Sequence, residues 1–70
     1  MNTKRFFKII KNNNVEIYVT LKEAMDLFLS SPNFIVLLEN INFNEELLHN
    51  DTMTEVIRIT EQEYLKNIKN

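Results

Sequence analysis

Residues 17–28, IYVTLKEAMDLF, pass from alternation to helical spacing with no linker between them, and that junction decides the fold. Val15, Ile17 and Val19 lie on one side of an extended chain and Glu16, Tyr18 and Thr20 on the other, the period of a half-buried strand. From Leu21 the spacing changes. Leu21, Ala24, Met25, Phe28 and Leu29 recur at i, i+3, i+4, i+7 and i+8, which makes one apolar stripe on a helix. Thr20 sits at the switch with Glu23 three residues on, the pattern of a capping box in which each residue serves the other's backbone N–H. Ser30, Ser31 and Pro32 end this helix, because a residue before proline is driven out of helical geometry.

Upstream, RFFKIIK at 5–11 is ambiguous by alternation alone, and hairpin register resolves it. A three-residue loop Asn12–Asn14 sets Ile9 opposite Ile17, Phe7 opposite Val19 and Lys8 opposite Tyr18, whereas a two-residue loop would put the Lys8 ammonium on the core face. Asparagine tolerates the left-handed conformation such loops need, and the chain has no glycine to offer instead.

Downstream, the junction is echoed at an offset of forty residues. TEVIRIT at 54–60 alternates, TEQE at 60–63 repeats the capping box, and Tyr64, Leu65 and Ile68 give a last helix a short apolar stripe. The commonness of this strand-to-helix junction accounts for the echo better than an internal duplication does. The continuous apolar run NFIVLLENI at 33–41 reads as a central strand, and NEELLHND at 44–51 as one helical turn capped by Asn44 or an ordered loop. The expected fold class is α+β, ββαββα, a four-stranded mainly antiparallel sheet with two helices packed on one face, all within one small domain over residues 1–70.

Seventy residues bury only about 60% of the unfolded chain's surface, so little stabilising area is in hand. Disulfides and thiolate metal sites are excluded by the absence of cysteine, a composition that fits a reducing compartment. The positive amino terminus is broken by Lys8 and Lys11 before any signal-peptide core forms, and no apolar run approaches the ~20 residues that cross a bilayer. A cytoplasmic protein without membrane partners is expected.

The chemistry a catalyst needs is thinly represented. His49 is the one imidazole, no GxSxG elbow occurs, and a chain without glycine has no phosphate-cradling loop. Glu45, Glu46 and His49 would share a side of a helical turn and could meet a divalent metal there, but a solvated turn is the better reading. No enzyme activity, cofactor or metal is expected.

What remains is surface. Net charge is −2, but Lys4, Arg5, Lys8 and Lys11 supply four of the eight basic side chains, and none lies between Lys22 and Arg58. Cations interleaved with Phe6 and Phe7 suggest nucleic-acid binding as an alternative function. An edge strand protected by lysines accounts for them better in so acidic a protein. With Phe7, Ile9, Ile17, Val19, Ile57 and Ile59 turned to the helices, Phe6, Ile10, Tyr18 and Val56 point away, joined by alternate residues of FIVLL and rimmed by Lys8, Glu16 and Arg58. Such a patch predicts a protein partner or a second copy. Glu39, Glu45, Glu46, Asp51 and Glu55 are expected to face a basic partner. The function class is a small non-enzymatic binding module, an inhibitor or accessory regulator of the phage or mobile-element kind.

If the threonines are caps and not reagents, Thr20→Ala or Thr60→Ala lowers the unfolding free energy by about 1 kcal/mol, measured by denaturant titration.

Overall fold

The structure is a computed structural model and describes residues 4–12 and 14–68. Its elements are β1 (Phe6–Ile10), β2 (Glu16–Thr20), α1 (Leu21–Leu27), α2 (Pro32–Asn40), β3 (Glu46–His49), β4 (Thr54–Ile59) and α3 (Glu61–Ile68). The four strands form one antiparallel sheet in the order β2-β1-β4-β3. The expected α+β class is therefore the one observed, with a ββαββα-like order and two helices on one face. Which segments fill those roles differs from expectation in four ways.

The first hairpin follows its predicted register, with Phe7 opposite Val19, Lys8 opposite Tyr18 and Ile9 opposite Ile17. Lys11 N–H donates to the Val15 carbonyl at 2.9 Å, and Asn14 turns the chain at φ 65°. Asn13, at the middle of the expected loop, lies outside the described residues. Thr20 caps α1 in a closed box: Glu23 N–H donates to Thr20 Oγ1 at 3.3 Å, and Thr20 N–H donates to Glu23 Oε1 at 2.9 Å. At the second junction, Glu63 N–H donates to Thr60 Oγ1 at 3.1 Å.

The first correction concerns residues 33–41, expected as a strand and found as helix α2. Phe34 to Leu38 is apolar at every position and satisfies both periods, so that run does not decide between them. Pro32 decides it. Helix α1 already ends at Leu27, short of the expected stop, and Pro32 occupies the first helical position of α2, where its missing N–H is no loss. Phe34, Leu38 and Ile41, at i, i+4 and i+7, then turn into the core.

The second correction is the 44–51 segment, which is strand β3 and not a helical turn. Asn44 adopts φ 67°, which a helix N-cap does not use. Its N–H donates to the Arg58 carbonyl at 2.9 Å, and Arg58 N–H donates to Glu45 at 3.2 Å. Two residues thus oppose one in a β-bulge.

Third, the phase of β4 is reversed. Pairing with β1 places Ile9 beside Val56 and Phe7 beside Arg58, so Val56 faces α1 and α2 while Ile57 and Ile59 face away. Alternation separates two sets of side chains without saying which points inward.

Fourth, the carboxy-terminal helix is not on the side of α1. The Tyr64 ring stacks 4.5 Å from Phe6 on the reverse of the sheet, and α3 leans on β1 and β2. The two helices sharing one face are α1 and α2. Between them and the sheet lies the core, with Phe7, Ile9, Leu38 and Val56 fully buried and Val19, Ala24, Phe28 and Phe34 around them.

Without glycine, the positive-φ positions among the described residues fall to Asn14, Asn44 and Met53. Met53, at φ 51°, is the costly one, because its Cβ crowds the following carbonyl and it lacks asparagine's local hydrogen bonds. Met53→Gly is expected to raise stability by up to about 1 kcal/mol, seen as a higher denaturation midpoint with an unchanged slope.

Candidate functional site

The reverse of the sheet was expected to be an apolar patch, and α3 changes it. Phe6 and Ile59 are buried there beneath the helix. Beyond α3 the register lays out two rows, Tyr18–Lys8–Ile57–Glu46 and Glu16–Ile10–Glu55–Leu48. Charged and apolar side chains alternate across both. Lys8, Ile10, Tyr18 and Ile57 are half-buried, and Glu16, Glu46, Leu48 and Glu55 are exposed. Tyr18 Oη donates to Glu16 Oε1 at 3.4 Å, and its phenol is raised above the ordinary value by partial burial first, then by the carboxylates of Glu16 and Glu63.

Two members of the expected patch are not on that face. Val56 is fully buried in the core. Arg58 lies at the end of the core face and serves the fold: Nη1 donates to the Ile41 carbonyl at 2.9 Å, at the carboxyl end of α2, where a cation is favoured. Its guanidinium lies 4.1 Å over the Phe43 ring. Burial lowers the Arg58 pKa, and the neighbouring Arg5 adds to this.

The acidic residues do not converge. Glu39 is on an exposed flank of α2, Glu46 and Glu55 are on the reverse of the sheet, and Glu45 and Asp51 stand beyond opposite ends of β3. Glu45 Oε1 also accepts from Asn42 N–H at 2.7 Å to close the preceding turn.

His49 departs furthest from expectation, since it occupies neither a solvated turn nor a metal cluster. Strand alternation points it into the core side, away from Glu46, where its ring lies 5.0 Å from Phe28 and 4.8 Å from Phe34. Nε2 is 2.9 Å from Ser31 Oγ and Nδ1 is 2.8 Å from Thr52 Oγ1. Thr52 Oγ1 donates to Thr54 Oγ1, and Thr54 Oγ1 donates to the Thr52 carbonyl. With the Thr52 hydroxyl proton committed, Nδ1 carries the ring proton and Nε2 accepts from Ser31, so each donor has one acceptor. The chain ties the α1–α2 junction to the β3–β4 hairpin and is structural. Among the described residues no group of three or more potential metal ligands occurs.

Nucleic-acid binding through the amino-terminal strand loses its stacking rings, because Phe6 and Phe7 are both buried. Nor is β1 an edge strand, since it is paired on both sides between β2 and β4. Lys4 and Arg5 precede it and Lys11 follows it, so these cations sit at opposite ends.

The unassigned apolar surface lies on the helices. On α2, Val36 and Leu37 are 55% and 49% exposed; Val36 projects opposite the buried Phe34 and Leu38, and Leu37 lies on the flank next to Phe34. The predicted stripe of α1 divides: Ala24 and Phe28 enter the core, Leu21 packs at its margin, and Leu21, Met25 and Leu29 also line a groove toward α3. The α2 face escaped the sequence reading because a strand assignment sends alternate residues to both sides of a sheet. The signal that could have exposed it was Pro32 read as a helix start. Among the described residues no helix is long and apolar enough to cross a membrane. No protein-family model, curated protein or solved structure matches the chain.

The Tyr18 environment gives a pH dependence with a definite sign. The native state holds the phenolic proton more tightly than the unfolded chain, so this contribution to stability is present below the ordinary tyrosine value and is lost as pH rises through the raised one. In a Tyr64→Phe background, spectrophotometric titration should show Tyr18 ionising above the ordinary value, and Glu16→Gln should bring it down.

Proposed function

We propose that this protein is a non-catalytic interaction module which works by surface complementarity, in the manner of a small inhibitor or accessory regulator, and that the outward face of α2 is the surface it presents. The observation that carries this is a helix apolar on both sides. Phe34 and Leu38 fill the core, so Val36 and Leu37 are surplus to it, and an amphipathic surface helix would place polar side chains there. The reverse of the sheet, with its α3 cover and chequered charges, is the poorer surface.

The occupant supported best is a second copy. The exposed stripe Asn33, Val36, Leu37 and Asn40 has no charge, so it meets itself without repulsion. Antiparallel packing about a two-fold axis sets Val36 against the partner's Leu37, and Asn33 against the partner's Asn40, an isologous contact with apolar residues in the middle and amides at the ends. So small a contact gives a dimer that dissociates on dilution. A cytoplasmic setting belongs to this reading and is supported by the cysteine-free composition.

Light scattering coupled to gel filtration should give a mass rising from 8.4 kDa toward twice that value as concentration increases. Val36→Glu or Leu37→Glu should return a folded monomer at every concentration. A wild-type chain that stays monomeric throughout would overturn the dimer, as would a dimer indifferent to both substitutions.

A further inference from the structure

A second apolar surface is independent of α2 and has a different shape. Leu21, Met25 and Leu29 recur at i, i+4 and i+8 along α1 and the turn after it, and they face Leu65 of α3 across a groove of about 760 Å³, with Phe6 also in its wall. Leu29 is 70% exposed and Met25 half-buried, so of this flank only Leu21 packs against the core. The volume falls in the range of small-molecule sites, and methionine adapts to the outline of what it touches.

The polar groups of the groove are few and lopsided in their engagement. Thr20 is committed to the α1 cap through both its backbone N–H and its hydroxyl. Asp26 and Glu61 are the carboxylates of the lining, and Lys4 and Lys22 are its exposed ammonium groups. Arg5 is different. It is half-buried, its Nε is shielded from solvent with no hydrogen-bond partner, and its guanidinium makes no ion pair among the described residues. The half-buried Arg58 lies near enough to repel Arg5, but it is held at the Ile41 carbonyl and stays outside the groove wall, which leaves Arg5 as the shielded cation of the site. A shielded guanidinium without a partner beside an apolar trough calls for an anion carried on an apolar body.

We infer that the groove between α1 and α3 binds a long-chain carboxylate, with its acyl chain along Leu21, Met25, Leu29 and Leu65 and its carboxylate at the Arg5 guanidinium. An extended peptide would have only the outer edge of β2 to pair with, and Thr20, the residue of that strand in the groove wall, already gives its N–H to the α1 cap. A partner helix would be held by only the seven residues of α1, about 10 Å of axis. An acyl chain needs neither.

The test is fluorescence titration of the full chain with dansyl-undecanoic acid, followed by displacement with dodecanoic acid and, separately, with dodecanol. Saturable binding at one site per chain is expected, with the acid displacing the probe at far lower concentration than the alcohol. Arg5→Gln should weaken dodecanoic acid at least about tenfold while leaving dodecanol unchanged, since a hydrogen bond to a charged group is lost and apolar contact is not. Leu29→Asp and Leu65→Asp, at exposed positions that the core does not use, should abolish binding of both with the circular dichroism spectrum intact. No saturable binding, equal potency of acid and alcohol, or full binding by both Asp variants would each overturn the assignment. None of these readings depends on whether the chain dimerises through α2.

Discussion

Strand β1 carries bulk on both of its faces, and the rest of the molecule is arranged around that constraint. Phe6 and Phe7 are adjacent, as are Ile9 and Ile10, and a pleated chain must send neighbours to opposite sides. Since β1 is paired on both edges, neither set can escape by rotation at a rim. Phe7 and Ile9 are closed over by α1 and α2. Phe6 is closed over by Tyr64 of α3. A fold with helices on one side alone would leave a buried-type phenylalanine in water, at a loss of about 1.5–3 kcal/mol.

The absence of glycine acts as a second constraint, and asparagine answers it where the backbone is most bent. Asn14 closes the first hairpin and Asn44 starts the bulge that leads into β3. The bulge in turn sets where β3 begins, so that Leu47 and His49 reach the core side and the Ser31–His49–Thr52–Thr54 chain can form. A left-handed residue at position 44 is thus upstream of the buried polar link between the helical and hairpin halves.

Where the sequence was legible, two independent signals agreed. The 17–28 junction combined a period change with a capping box, and the first hairpin combined alternation with the need to keep Lys8 off the core face. Both features stand in the structure. Where a single signal stood alone, the reading failed: continuous apolarity at 34–38 fits helix and strand alike, and alternation in β4 carries no phase until its partner strand is known. The error at 33–41 also hid the exposed α2 face, because Val36 and Leu37 look redundant only once Phe34 and Leu38 are seen to fill the interior by themselves. His49 was misplaced for a related reason. Its partner Thr52 is as near in sequence as Glu46, but Ser31 and the Phe28 and Phe34 rings reach it only through the chain's return.

Helix α3 has no fully buried side chain and rests on the sheet mainly through one aromatic pair. It is consequently the element most readily peeled away as a unit while the two-helix side remains intact, a sub-global opening with its own free energy and its own hydrogen-exchange signature. In that partly open form Phe6 and Ile59 meet water on an otherwise native sheet, so the carboxy-terminal helix governs how sticky the molecule is during synthesis and storage.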